Sequence, residues 1–380
     1  MYFKQILVSA SKAFSPVYQI DGFEANKANL VLVFGQRTLL EAVQPYGVLK
    51  EAFPQAQIVI CSSSGQISND CQIAKEIVAT AIQFENTKIK TVVTDVNLHP
   101  NLNDFGDLIQ KDLYADDLQS ILILSEGSHV NGTELINELI EKTQRRIPIF
   151  GGLAGDEYAF EKTIVGLNQD ASSGKIVAVG FYGDAIRFGF GCEGGWGDFG
   201  PEREVTESDK NVLYKIGDRY ALDLYKEYLG KYANELPGSS LYFPLSMKEK
   251  ESNTSVVRTI LSIDEQNKSM TFAGNIPQGS FVRFMKGNTD KLIDASAKAA
   301  AAIAKEPSQT RQLALLVSCV GRRIVLDDRI EEELEVVRET FGTNTLLCGF
   351  YSYGEISPTL DKVACELHNQ TMTITTLYET

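Results

Sequence analysis

The sequence predicts a mixed α/β fold: mixed parallel and antiparallel sheets, strand–helix–strand repeats and two related domains. Two observations predict it. One order of elements occurs three times: an apolar run ending in glycine, a capped amphipathic helix, then a second apolar run ending in a small-residue turn. Between these copies, shorter stretches alternate apolar and polar residues, which is the period of a half-buried strand. The 380 residues, 43% of them hydrophobic, are enough for a sizeable core and favour two domains.

The first copy runs Leu30-Val-Leu-Val-Phe-Gly35, a helix from Thr38, then Ile58-Val-Ile-Cys-Ser-Ser-Ser-Gly65-Gln66. The second runs Ile121-Leu-Ile-Leu-Ser-Glu-Gly127, a helix from Asn131, then Ile147-Pro-Ile-Phe-Gly-Gly-Leu-Ala-Gly155-Asp156. The third runs Leu313 to Gly321, a helix from Asp328, then Leu346-Leu-Cys-Gly-Phe-Tyr-Ser-Tyr-Gly354-Glu355. Each helix opens with a capping-box pair: Thr38 with Glu41, Asn131 with Glu134, Asp328 with Glu331. In the third helix Ile330, Leu334, Val337 and Phe341 form one apolar face. Glu331, Glu332, Glu333 and Glu335 are assigned to a solvated surface.

A strand–helix–strand unit makes two parallel strands whose following loops open on one edge of the sheet. Ligands bind outside the carboxyl ends of such strands. In the third copy that edge carries Arg322 and Arg323 from one loop, and Tyr351, Tyr353 and Glu355 from the other. These five residues are the candidate ligand site. An Arg fork suits a carboxylate, Glu355 an ammonium, and the tyrosines an apolar body. The alternative for the arginines is an ion pair with Asp327, Asp328 or Glu355.

Hairpins are expected over residues 160–192 and 255–285, with turns at Ser172-Ser173-Gly174, Asp264-Glu265-Gln266-Asn267 and Pro277-Gln278-Gly279. A further strand pattern surrounds Asn86-Thr87. A glycine-rich turn from Gly191 to Pro201, a helix at Ala221–Leu229 and a loop at 235–240 mark a boundary. Residues 1–214 form the first domain, with two copies, and residues 215–380 the second, with one.

Several functions are disfavoured. The formal net charge of −14 repels nucleic acid and anionic membranes. No apolar run is long enough to span a bilayer, so membrane insertion is not expected. The six cysteines form no CxxC pair, which suits reduced thiols and the cytoplasm. Gly189-Phe-Gly191-Cys-Glu-Gly194 matches a dinucleotide fingerprint, but the glycines and proline after it cannot open a helix. His99, His129 and His368 stand in no local metal motif, and Ser62-Ser63-Ser64-Gly65 lacks a nucleophile elbow. His129 lies in the loop at the carboxyl edge of the second copy, whereas His368 reads as structural.

Gly151-Gly-Leu-Ala-Gly155-Asp156 resembles a motif of FIST-domain proteins. So do Gly200-Pro-Glu, Asn211-Val-Leu-Tyr and Ala221-Leu-Asp-Leu-Tyr. Ser318-Cys-Val-Gly-Arg-Arg323, Gly349-Phe-Tyr-Ser-Tyr-Gly-Glu-Ile356 and Leu367-His-Asn-Gln-Thr-Met-Thr373 resemble the C-terminal half of the same family. The resemblance implies paired N- and C-terminal domains and a non-enzymatic sensory module of bacterial signal transduction. It implies a small ligand such as an amino acid, and a signalling partner such as a histidine kinase. One branch is described as haem-binding and nitric-oxide-sensing, and there His129 is the candidate axial ligand. An enzyme acting on a small carboxylate through Cys319 or the Arg pair is the remaining alternative.

Overall fold

The computed structural model describes residues 1–69, 71–236, 238–250, 255–304, 311–358 and 365–380. Pro237, in the loop expected at 235–240, lies outside them. The first segment runs β1 (Tyr2–Val8), β2 (Phe14–Gln19), β3 (Leu30–Gly35), α1 (Arg37–Val43), α2 (Tyr46–Ala52), β4 (Gln57–Ser62), β5 (Gln66–Ser68), β6 (Cys71–Ile73) and β7 (Ile77–Gln83). The second runs β8 (Lys88–Asp95), α3 (Leu102–Leu108), β9 (Leu118–Ser125), α4 (Gly132–Lys142), β10 (Ile149–Leu153), β11 (Val165–Leu167) and β12 (Lys175–Tyr182). The third opens with β13 (Ile186–Glu193). An insertion follows: β14 (Gly197–Asp209), β15 (Val212–Ile216), β16 (Arg219–Tyr220), α5 (Ala221–Leu229), β17 (Leu245–Lys248), β18 (Val256–Arg258), β19 (Ile260–Asp264), β20 (Ser269–Phe272) and β21 (Phe281–Lys286). The segment resumes with α6 (Thr289–Ala301), β22 (Gln312–Cys319), α7 (Val320–Leu326), α8 (Ile330–Phe341), β23 (Thr345–Ser352), β24 (Gly354–Pro358), β25 (Cys365–His368) and β26 (Met372–Glu379).

The three expected repeats are all present. β3 and β4, β9 and β10, and β22 and β23 pair in parallel, each pair joined through helix. Gly65, Gly155 and Gly354 follow the second strand of each pair. On the far side of each first strand lies an antiparallel return strand: β7, β12 or β26. On the far side of each second strand lies a short strand from a different segment. β11 pairs with β4, β24 with β10, and β5 with β23. The three sheets are thus closed by cyclic exchange.

The apolar runs explain the layers. Every residue of β3 is buried, because one face meets helices and the other meets the remaining sheets. Leu32 and Phe34 enter a central cluster with Leu122, Phe150, Leu315 and Phe350. Val31 and Val33 face the outer cluster with Leu40 and Leu49 of the helices. Phe34 stacks on Phe350 with ring centroids 4.7 Å apart. Each such side chain contributes about 1.5–3 kcal/mol on burial.

At the centre, the second strands of the three pairs meet head-on. Ser64 N donates to Tyr351 O at 2.8 Å, Gly155 N to Ser62 O at 3.1 Å, and Tyr353 N to Leu153 O at 3.1 Å. These bonds form a ring with approximate threefold symmetry. Gly155 is required there, because a Cβ would come 2.9 Å from the backbone nitrogen of Ser64.

Several sequence expectations are corrected. Only Asn131 caps as expected, accepting from Thr133 N and Glu134 N. Thr38 lies inside α1, and Asp328 lies in a 3-10 turn before α8. The strands flanking Asn86-Thr87 exist, but β7 and β8 join different sheets. Of the hairpins expected from named turns, β19–β20 forms as one, its turn held by Asp264 Oδ1 accepting from Gln266 N and Asn267 N. Turn chemistry reverses the chain, but burial on both faces selects the partner strand. Gly191 belongs to β13, which pairs along β26, and is not in an open turn. The helix at Ala221–Leu229 is present with the expected bounds. Among the described residues, no helix is long and apolar enough to cross a membrane.

The parallel pair β9–β10 yields a stability prediction. Gly151 has φ +129°, and a Cβ would lie 2.0 Å from Ile123 O. Gly151→Ala is expected to lower unfolding free energy by about 3 kcal/mol or more, from strain and backbone displacement together. Gly47→Ala in α2, where a Cβ meets nothing within 4 Å, is expected to be neutral or stabilising by up to about 1 kcal/mol. Urea unfolding of the two variants checks the contrast.

Candidate functional site

The carboxyl edge of β22 does not open into a loop. Val320–Leu326 forms α7, and its turn sends Arg322 and Arg323 in different directions. Arg322 is completely buried. Its Nε donates to Glu333 Oε1 at 2.8 Å, and its Nη2 to the same oxygen at 2.5 Å. Nη2 also donates to Leu292 O and Ser296 Oγ, and Nη1 to Gly194 O. Arg322 is therefore an interior clamp between α6, α7 and α8, and its partner is none of the acids expected for it.

Glu333 is likewise buried, contrary to its assignment to a solvated face. It accepts from Ser296 Oγ, Ser318 Oγ and the Tyr351 hydroxyl at 3.1–3.3 Å. Its place was legible, since position 333 falls three residues after Ile330 on the apolar spacing of α8. Tyr351 is fully buried. Burial and then Glu333 raise its phenol well above the usual value. Glu355 is buried too, accepting from Ser352 Oγ at 2.7 Å, Thr371 Oγ1 at 2.9 Å and Thr371 N at 3.1 Å. These three members of the expected site thus face the interior.

Tyr351 and Tyr353 part because β23 ends at Ser352. Tyr351 packs on the α8 side, whereas Tyr353 turns into the cluster under α4. The Tyr353 hydroxyl donates to Asp156 Oδ1 and accepts from Phe160 N. Asp156 also accepts from the backbone nitrogens of Phe160, Glu161 and Lys162. One buried carboxylate thereby shapes the loop 156–162. Phe160 stacks on Tyr353 at 4.5 Å. Glu157 and Phe160 hold φ near +67° and +54°, a left-handed conformation that is costly for a bulky residue.

Arg323 reaches outward. Its Nη1 donates to Ser64 O, and its guanidinium lies over the Tyr158 ring at 5.3 Å. Arg323, Ile324 and Asp327 line one wall of a groove of about 540 Å³. Tyr158 and Phe160 come from the Asp156 loop, Leu241 and Tyr242 from a 3-10 turn of the insertion, and Ile260 and Leu261 from β19. Phe160 and Leu261 are shared with a second cleft of about 440 Å³, which Tyr353 and His129 also line. Tyr158, Phe160, Tyr242 and Leu261 are 41–53% exposed and lie around this one feature. Sequence reasoning missed them; the available signal was Tyr158-Ala-Phe160, two aromatics within a polar loop.

His129 stands on the rim with its side chain 71% exposed, its Nδ1 3.4 Å from Glu126 Oε2. Buried Glu126 accepts from the backbone nitrogens of Ser128, His129 and Val130. His99 is exposed in a turn. His368 is buried beside Ser357 O, and burial pulls its pKa down to about 4. Among the described residues, no group of three or more His, Cys, Asp or Glu could hold a metal ion. Burial raises the Cys319 thiol well above its usual value, which makes it a poor nucleophile.

Residues 29–219 match the family model of the FIST N domain, and residues 221–358 that of the FIST C domain. No curated protein matches the sequence significantly. The solved structure of cyanuric acid hydrolase from A. caulinodans aligns over 99% of this chain and 98% of its own, at 7% identity and a TM-score of 0.39. That likeness is too weak to carry an argument.

Arg322→Ala strands a buried carboxylate, and is expected to destabilise the protein by about 3–5 kcal/mol. Replacing both partners, as in Arg322→Met with Glu333→Leu, is expected to cost less than the single change in the same urea titration. Glu355 provides a pH test. Burial pushes its carboxyl up to about 7, from 4.5. Between those values the folded state holds a proton that the unfolded state has lost. The group's contribution is present below about 4.5 and lost as pH rises through 7. Thermal melts should show the wild type losing up to about 3 kcal/mol across that window relative to Glu355→Gln.

Proposed function

The chain belongs to the FIST family, whose domains are sensory signalling modules, and from that premise we propose that the aromatic groove beside Arg323 is its ligand site. One observation carries the reading: four exposed apolar side chains surround a groove that also holds one cation and one carboxylate. Scattered exposed apolar residues are ordinary on a protein surface, but a cluster with convergent charges marks a binding site. The chemistry suits a small amphoteric molecule with an apolar body, such as an amino acid. Arg323 would take its carboxylate, Asp327 its ammonium, and Tyr158 and Tyr242 its body. Tyr353 acts at one remove, by holding the Asp156 loop.

The ligand would be read through that loop. It belongs to the second segment and bonds to the other two: Gln36 Nε2 donates to Glu157 Oε1, Ser64 Oγ to Glu157 O, and Tyr353 to Asp156. A ligand that displaces Tyr158 from Arg323 thereby acts on the central ring. The output would pass to a signalling partner in the cytoplasm, such as a histidine kinase, without catalysis. The raised Cys319 thiol and the engaged Arg322 count against the enzyme alternative. His129 does not fit a haem ligand well. Its imidazole is mostly in solvent and leans on Glu126, rather than facing an apolar slot.

Titration calorimetry with free phenylalanine is expected to show binding that Arg323→Ala weakens about ten- to a hundred-fold, the loss of one charged hydrogen bond. Unchanged affinity in Arg323→Ala would place the ligand elsewhere. A Soret band on adding haem, lost in His129→Ala, would replace this reading with haem sensing.

A further inference from the structure

We propose that the ligand of the groove is a betaine, a small zwitterion whose fully methylated ammonium lies against aromatic rings and whose carboxylate meets Arg323. The inference rests on the reading of the groove as the ligand site, and it names the ligand class. Tyr158, Phe160 and Tyr242 are 53%, 41% and 42% exposed, and all three line the groove. Phe160 is stacked on Tyr353 at 4.5 Å, and the Tyr158 ring carries the Arg323 guanidinium at 5.3 Å. Two of the three rings are thus held in place by the protein itself. An aromatic face attracts a cation through its quadrupole, and converging rings form the cage that recognises a quaternary ammonium. Tyr158 already takes one cation in this way, that of Arg323.

The supply of acceptors favours methylation. A primary ammonium presents three N–H donors, each of which needs an acceptor. Apart from Asp327, the side chains lining the groove among the described residues offer only the phenol oxygens of Tyr158 and Tyr242. Leu241, Ile260, Leu261 and Ile324 present apolar surface. N-methyl groups need no acceptor and gain by covering such surface. The charges of the lining also match. Arg323 and Asp327 are opposite and single, which complements a ligand with one charge of each sign. A phosphate monoester would bring a second negative charge beside Asp327.

The test compares four probes by titration calorimetry on the full chain. These are glycine betaine, tert-butylacetic acid, phosphocholine and phenylalanine. In tert-butylacetic acid a neutral carbon replaces the charged nitrogen at the same shape. Glycine betaine is expected to bind at least about tenfold tighter than this isostere. Tyr242→Leu is expected to lose that margin and Tyr242→Phe to recover it. Equal affinity for glycine betaine and the isostere overturns the proposal. So does a margin that survives Tyr242→Leu and disappears in Asp327→Asn, which would assign the cation to the carboxylate alone. Tighter binding of phosphocholine than of glycine betaine overturns it as well, by making the anion a phosphate. So does phenylalanine binding that depends on Arg323 with no binding of glycine betaine. In each of these cases the groove remains the ligand site. Failure of all four probes to bind overturns the groove reading and this inference together.

Discussion

The three backbone hydrogen bonds among Ser62, Ser64, Leu153, Gly155, Tyr351 and Tyr353 are the constraint on which the rest of the molecule depends. Each contributes only about 1 kcal/mol net, but each buried amide left unpaired would cost about 1–3 kcal/mol. The ring can close only if all three parallel pairs point their carboxyl ends at one place. That alignment sets the central core, with Phe34 against Phe350. It also brings the Asp156 loop, α7 and the Ser64 carbonyl into contact. The groove at the edge is thus a by-product of how the centre closes.

Buried carboxylates translate that closure into loop shape. Glu126 gathers the amides of residues 128–130, and Asp156 those of residues 160–162. Glu355 ties β24 to Thr371, and Glu333 joins three helices through Arg322. Desolvating such groups is unfavourable, and satisfied partners offset it. The return is definition: one arrangement satisfies all donors, and a shifted loop would strand a charge.

The repeats were legible because parallel strands buried on both faces read as unbroken apolar runs, as in Leu30 to Phe34. The carboxyl edge followed from crossover geometry; Arg323 lines the groove there and Tyr353 the second cleft. Arg322 was misplaced because adjacent arginines read as one fork in a loop, whereas a helix separates neighbours by about 100°. Glu333 was misread because a run of four acids within five positions looks solvated, although helical spacing carries one inward. Tyr242 and Leu261 could not be found at all. They reach the groove from an insertion whose docking depends on contacts distant in the chain, such as Arg258 Nη1 with Leu367 O.

The cyclic exchange of edge strands bears on how the chain reaches its native state. β5, near the beginning, completes the sheet built around β22 and β23, near the end. β24 in turn completes the sheet of the second segment. No segment can therefore finish its own sheet while the others are unfolded. Loop-closure entropy must be met before these distant pairings form, so topology favours slow assembly. An N-terminal portion emerging from the ribosome would hold the free edge of β10 in wait until β24 is made, an unpaired strand edge of the kind that invites misassembly.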